Sequence, residues 1–107
     1  MAFYIKRNDT SPTIRATLKD GDETVINLTG CSVRFHMRSV GGSTAKVDAA
    51  ATLVNTTGGI CQYQWVAADT DTLGSFEGEF EVTFQGGEIE SFPNNKFIQI
   101  EITDDIA

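Results

Sequence analysis

Apolar and polar residues alternate with a period of two along most of this chain. Ile14, Ala16 and Leu18 alternate with Arg15, Thr17 and Lys19; Val33, Phe35 and Met37 with Arg34, His36 and Arg38; Cys61, Tyr63 and Trp65 with Gln62 and Gln64. The longest run sets Phe76, Gly78, Phe80, Val82 and Phe84 against Glu77, Glu79, Glu81, Thr83 and Gln85. The last sets Ile98, Ile100 and Ile102 against Gln99, Glu101 and Thr103. Side chains of a strand point alternately to its two faces, so each run predicts a strand with one buried and one solvated face, the pattern of antiparallel sheets. No helical stripe of useful length competes.

Turn signals punctuate the runs: Asp20-Gly21-Asp22, Thr29-Gly30, Gly41-Gly42, Thr57-Gly58-Gly59, Leu73-Gly74 and Gly86-Gly87. Gly86-Gly87, between Phe84 and Ile89, predicts a tight hairpin. The segment Ala67–Thr72 breaks the alternation and predicts one helical turn, capped by Asp69 or Thr70, that carries the chain from one sheet to another. Pro12 and Pro93 fall just outside the runs, where they cost no ladder hydrogen bond. About seven to nine short strands at this spacing predict an all-β fold, an immunoglobulin-like antiparallel β-sandwich forming a single domain over residues 1–107.

Charge refines this picture. The chain carries a formal net charge of −7, but residues 1–46 hold seven basic and four acidic side chains while residues 47–107 hold one basic residue, Lys96, and eleven acidic ones. Two readings follow: basic strands pair with acidic strands inside one molecule, or a basic patch of one copy meets an acidic patch of the next. The internal reading makes the Arg34–Arg38 and Glu77–Glu81 strands neighbours, with Arg34, His36 and Arg38 facing Glu77, Glu79 and Glu81 across one charged sheet face. The negative balance argues against nucleic acid as a partner. No run approaches the ~20 apolar residues of a membrane span. The N-terminus lacks the apolar region and cleavage site of a signal peptide, so secretion by that route is not expected.

Candidate chemistry is sparse. No GxSxG, phosphate-binding loop or dinucleotide fingerprint is present, and the expectation is a protein without catalytic activity, cofactor, metal or small-molecule substrate. Cys31 and Cys61 match no ligand spacing; both take inward-facing positions and are expected as free thiols, with a disulfide as the alternative. His36 has no second histidine to share a metal, lies between two arginines, and is expected on an exposed strand face. Asp69-x-Asp71 resembles the opening of a calcium loop, but Leu73-Gly74-Ser75-Phe76 supplies none of the further ligands, so the helical-turn reading prevails. Asp104-Asp105 reads as a solvated tail. Tyr63 and Trp65 offer a platform for a sugar only if exposed, and their parity with Cys61 places them in the core. The Asn27-Leu28-Thr29 and Asn55-Thr56-Thr57 sequons carry no meaning without a secretory route. The N-terminal segment Ala2–Arg7 supplies a candidate interface in Phe3, Tyr4, Lys6 and Arg7, which either dock on a neighbouring subunit or belong to the domain's own first strand.

Several blocks, in order, carry a family resemblance. They are Phe3-Tyr4-Ile5-Lys6-Arg7-Asn8-Asp9-Thr10-Ser11-Pro12, Leu28-Thr29-Gly30-Cys31-Ser32-Val33-Arg34-Phe35-His36-Met37-Arg38, and Tyr63-Gln64-Trp65-Val66-Ala67-Ala68-Asp69-Thr70-Asp71-Thr72. Gly74-Ser75-Phe76-Glu77-Gly78-Glu79-Phe80-Glu81-Val82 and Glu90-Ser91-Phe92-Pro93-Asn94-Asn95 complete the set. Over residues 3–104 the chain resembles the N-terminal domain of the BppU-like baseplate upper proteins of tailed bacteriophages. The resemblance implies an immunoglobulin-like virion structural protein without catalytic residues. Its partners would be other virion proteins and further copies of itself, and its place the virion, after synthesis in the host cytoplasm. A tail or baseplate position is expected first, with head decoration or a neck connection as the alternative. The coiled coil and distal domain that follow in longer baseplate upper proteins have no counterpart before Ala107, so the receptor-holding role is not expected to carry over. A carbohydrate- or receptor-binding module is the reading from a different class.

Overall fold

The computed structural model describes residues 2–106, which form nine strands and one short 3₁₀ turn. The strands are β1 (Ala2–Lys6), β2 (Ile14–Thr17), β3 (Ser32–Ser39), β4 (Val47–Ala50), β5 (Thr52–Asn55), β6 (Ile60–Tyr63), β7 (Gly74–Thr83), β8 (Ile89–Phe92) and β9 (Ile98–Thr103); the turn is Ala67–Thr70. They build two sheets, a large one ordered β1-β9-β7-β3-β4 with β8 also on β7, and a small one ordered β2-β6-β5. This is the immunoglobulin-like sandwich. Strands β2, β6 and β5 take the places of B, E and D, and β9, β7, β3 and β4 those of G, F, C and C′.

One pairing departs from the antiparallel expectation. β1 and β9 run parallel, Phe3 opposite Ile100 and Ile5 opposite Ile102. Alternation reports which face of a strand is buried and carries no information about its direction, so the pattern could not reveal this. The expected hairpin is present: Phe84 N–H donates to Glu88 O and Gly87 N–H to Phe84 O, both at 2.9 Å, with Gly87 at φ +93°. β8 and β9 then lie end to end along one edge of β7, Phe92 opposite Phe80 and Ile98 opposite Gly78, and residues 93–97 loop out between them.

The inward residues of both sheets make one core. Phe35 is its hub, with ring centroids 4.9 Å from Tyr63, 5.5 Å from Trp65 and 5.1 Å from Phe80. The Phe35 ring and Ile100 Cδ1 fill the space where Gly78 lacks a side chain: a Cβ there would stand 3.2 Å and 2.7 Å from them. Of the two free cysteines, Cys61 is fully buried, whereas Cys31 is half-buried. It precedes β3, at the end of the Thr29-Gly30 turn, with Sγ directed at Thr29 O. Neither cysteine is bridged.

The crossover between the sheets is held differently from the expected cap. Val66 is the N-cap residue of the 3₁₀ turn, and Asp69, three positions on, reaches back to accept the Val66 N–H at 2.9 Å. Thr70 Oγ1 donates to Asp9 O and Asn8 N–H to Thr70 O, both at 2.9 Å, which ties the β1–β2 connection to the same turn.

Candidate interaction surface

The outer face of the large sheet carries the charged ladder. β3 and β7 are antiparallel neighbours in the register that sets Arg34 opposite Glu81, His36 opposite Glu79 and Arg38 opposite Glu77. Two of these rungs close: Arg38 Nε donates to Glu77 Oε1 at 3.0 Å, and His36 Nδ1 lies 3.0 Å from Glu79 Oε2. The third does not, because Arg34 turns to β4. Its Nε donates to Asp48 Oδ1 at 2.8 Å and its Nη2 to the Asp48 carbonyl at 2.7 Å. Arg34 thus holds the Asp48 carboxyl below the usual carboxylate range, chiefly through its hydrogen bond, against an opposing contribution from desolvation and with a lesser one in the same direction from His36. Exposed pairs of this kind contribute roughly 0–1 kcal/mol each, so the ladder sets register and neighbour choice more than stability.

His36 is half-buried at 22% side-chain exposure, not the exposed residue expected, and the groups meeting its ring nitrogens are carboxylates. Nε2 lies 3.2 Å from Asp48 Oδ1. Beside it, the Arg38 guanidinium stands over the Phe97 ring, 5.0 Å from its centroid. His36, Arg38, Ser43, Asp48, Glu79 and Phe97 line a groove of about 250 Å³. A wider groove of about 630 Å³ lies between the end of β2 and residues 93–98.

The candidate N-terminal residues divide by parity. β1 is the domain's own edge strand, so Phe3 turns inward against Trp65 (centroids 5.8 Å apart) and is not free to dock elsewhere. Tyr4, at 67% exposure, and Lys6 face solvent; Arg7 pairs with Asp104 at 2.9 Å. No strand pairs with the outer side of β1 among the described residues.

Tyr63 and Trp65 are core residues, 6% and 1% exposed, so they form no sugar platform. Trp65 Nε1 is the one buried side-chain polar atom among the described residues without a hydrogen-bond partner. Among the same residues no three His, Cys, Asp or Glu side chains converge on a metal-sized site. Asp71 instead accepts from Lys46 Nζ at 2.7 Å and from the Thr72 hydroxyl at 2.9 Å, contacts that hold its carboxyl below the usual range. No helix among the described residues is long and apolar enough to cross a membrane.

The residue that the sequence reading missed is Asp48. Val47-Asp48-Ala49-Ala50 is too short and too rich in alanine to signal a strand, yet β4 delivers the carboxylate that binds both Arg34 and His36. The available sequence signal was Arg34 itself, a cation on a charged face whose neighbours were not all assigned. No family model matches the chain, and no curated protein matches it.

Proposed function

We propose that this chain is a non-enzymatic structural protein of a tailed-phage virion, an assembly module that joins other virion proteins and further copies of itself in the tail or baseplate. The observation that carries the reading is the edge strand β1. It presents Tyr4 and Lys6 outward, and its outer backbone groups have no partner strand among the described residues. An open edge is a template for pairing with another chain. Repeated in a symmetric particle, a small contact of this kind gains strength from multivalency without a large interface per copy. The block resemblance to baseplate upper proteins supports the same reading.

The test is immunogold electron microscopy of phage particles from a lysate containing this protein, with antibody against it. Label at the tail tip is the expected result. Label over the head or neck would move the module to decoration or connection. Unlabelled particles in a lysate rich in the protein would overturn the virion role. Deleting residues 1–8 would remove Phe3 and Ile5 from the core, so the informative variant is Tyr4→Asp with Lys6→Glu. That variant is expected to fold and to lose incorporation.

A further inference from the structure

We infer that His36 is a proton-controlled fastening between the edge strand β4 and the central strand β7. Its ring stands between two carboxylate oxygens, Asp48 Oδ1 at 3.2 Å from Nε2 and Glu79 Oε2 at 3.0 Å from Nδ1. A carboxylate only accepts hydrogen bonds. A neutral imidazole has one N–H and leaves one of these contacts as nitrogen facing oxygen, two acceptors together. An imidazolium donates to both and adds opposite charge to each. The protonated ring therefore joins three strands, β4 through Asp48, β3 through His36 itself and β7 through Glu79. The neutral ring joins two: Asp48 Oδ1 already accepts from Arg34, so the single N–H serves Glu79 and the contact to β4 is the one given up.

The surrounding charges allow this. On its own strand His36 is flanked by Arg34, whose Nε donates to the same Asp48 Oδ1 that faces the ring, and by Arg38, which is closed on Glu77. Asp48 is the charged group that β4 presents, and β7 presents Glu77, Glu79 and Glu81. Arg34 bonds both the Asp48 carboxylate and its main-chain carbonyl, and the β3–β4 backbone ladder does not involve the ring, so β4 stays attached when the ring is neutral. The expected response is a loosening of the edge strand, and of the groove wall that His36 and Asp48 form, not global unfolding. Histidine is the residue type whose charge ordinarily changes between about pH 5 and 8, and this chain has a single one.

The experiment is amide hydrogen exchange of the full chain by NMR at about pH 5.5 and about pH 8, corrected for intrinsic exchange, on wild type and His36→Gln. Protection of the β4 amides is expected to fall about threefold or more with rising pH in wild type and to stay level in His36→Gln. Should that variant fail to fold, Asp48→Asn, which keeps His36 and removes one of its two carboxylates, is expected to level the response. Ring ¹⁵N spectra of wild type at the acidic end are expected to show both nitrogens protonated and slow to exchange. Protection in wild type that ignores pH, or a response that persists undiminished in the variants, would overturn the inference.

Discussion

The Tyr63 hydroxyl donates to Asp69 Oδ2 at 2.6 Å across the turn that carries the chain from the small sheet to the large one. The same oxygen accepts the Val66 N–H, so one buried carboxylate fastens both the end of the β6 segment and the start of the turn. Burial first, and then the Asp69 carboxylate, push the Tyr63 phenol up, which keeps it protonated and donating through mildly alkaline pH. Tyr63→Phe removes the donor and leaves the ring in place. The expected loss is about 1–3 kcal/mol, the range for a hydrogen bond to a buried charged group, seen as a lower urea midpoint at unchanged m-value.

Gly78 is the place where the core presses on backbone. Alanine would gain the small strand-propensity advantage over glycine but place a Cβ 2.7 Å from Ile100 Cδ1 and 3.2 Å from the Phe35 ring. Overpacking dominates, and Gly78→Ala is expected to lower stability by about 1–3 kcal/mol in thermal or urea unfolding. Adding Ile100→Val, which deletes the colliding Cδ1, is expected to recover part of the loss.

The two thiols should separate in reactivity. Burial pushes the Cys61 thiol up to about 12, so almost no thiolate exists near neutral pH, whereas Cys31 is half-buried at a turn. Titration of the native protein with a disulfide reagent is expected to modify Cys31 first, with Cys61 following only in denaturant. Prompt modification of both in the native protein would contradict the packing around Cys61.

Asp48 links the ladder to acid stability. Its folded carboxyl lies below the ordinary value of 3.8, chiefly through Arg34, so its contribution is present above that value and is lost as pH falls through the depressed one. In urea unfolding across a pH series, the stability gap between wild type and Asp48→Asn is expected to be full well above the ordinary value of 3.8 and to narrow as pH falls below it.

The charged ladder was legible because two long runs, β3 and β7, each display a single sign of charge on the face opposite their apolar residues. Like charges on one strand face need an opposite-sign neighbour, and that fixed which strands lie side by side. Parity likewise placed Tyr63 and Trp65 in the core. What escaped were features that alternation does not encode. The direction of β1 against β9 is one. The short strands β4 and β5 are another, since four residues with little apolar weight give no period to read. The destination of Arg34 followed from that second gap: with β4 unassigned, Glu81 was the remaining acceptor in view. Asp69 was legible as a capping residue, but its position was not: a carboxylate at the third helical position reaches back to the N-cap amide, so the acidic residue marks the turn but not its first residue.

The interruption between β8 and β9 has a consequence for how this domain can diversify. From Phe92 to Ile98 the chain advances six residues while β7 advances two, from Phe80 to Gly78, so four residues are surplus to the ladder. The sheet senses the excursion only at its two ends, and its length and sequence are free of the inward–outward constraint that governs every paired position. Phe97 borders the smaller groove, and Pro93, Asn94, Asn95 and Lys96 border the larger. A relative with a longer or differently composed segment at this point would present new walls to both grooves while keeping the same register, hub and ladder, which makes residues 93–97 the natural graft site on this scaffold.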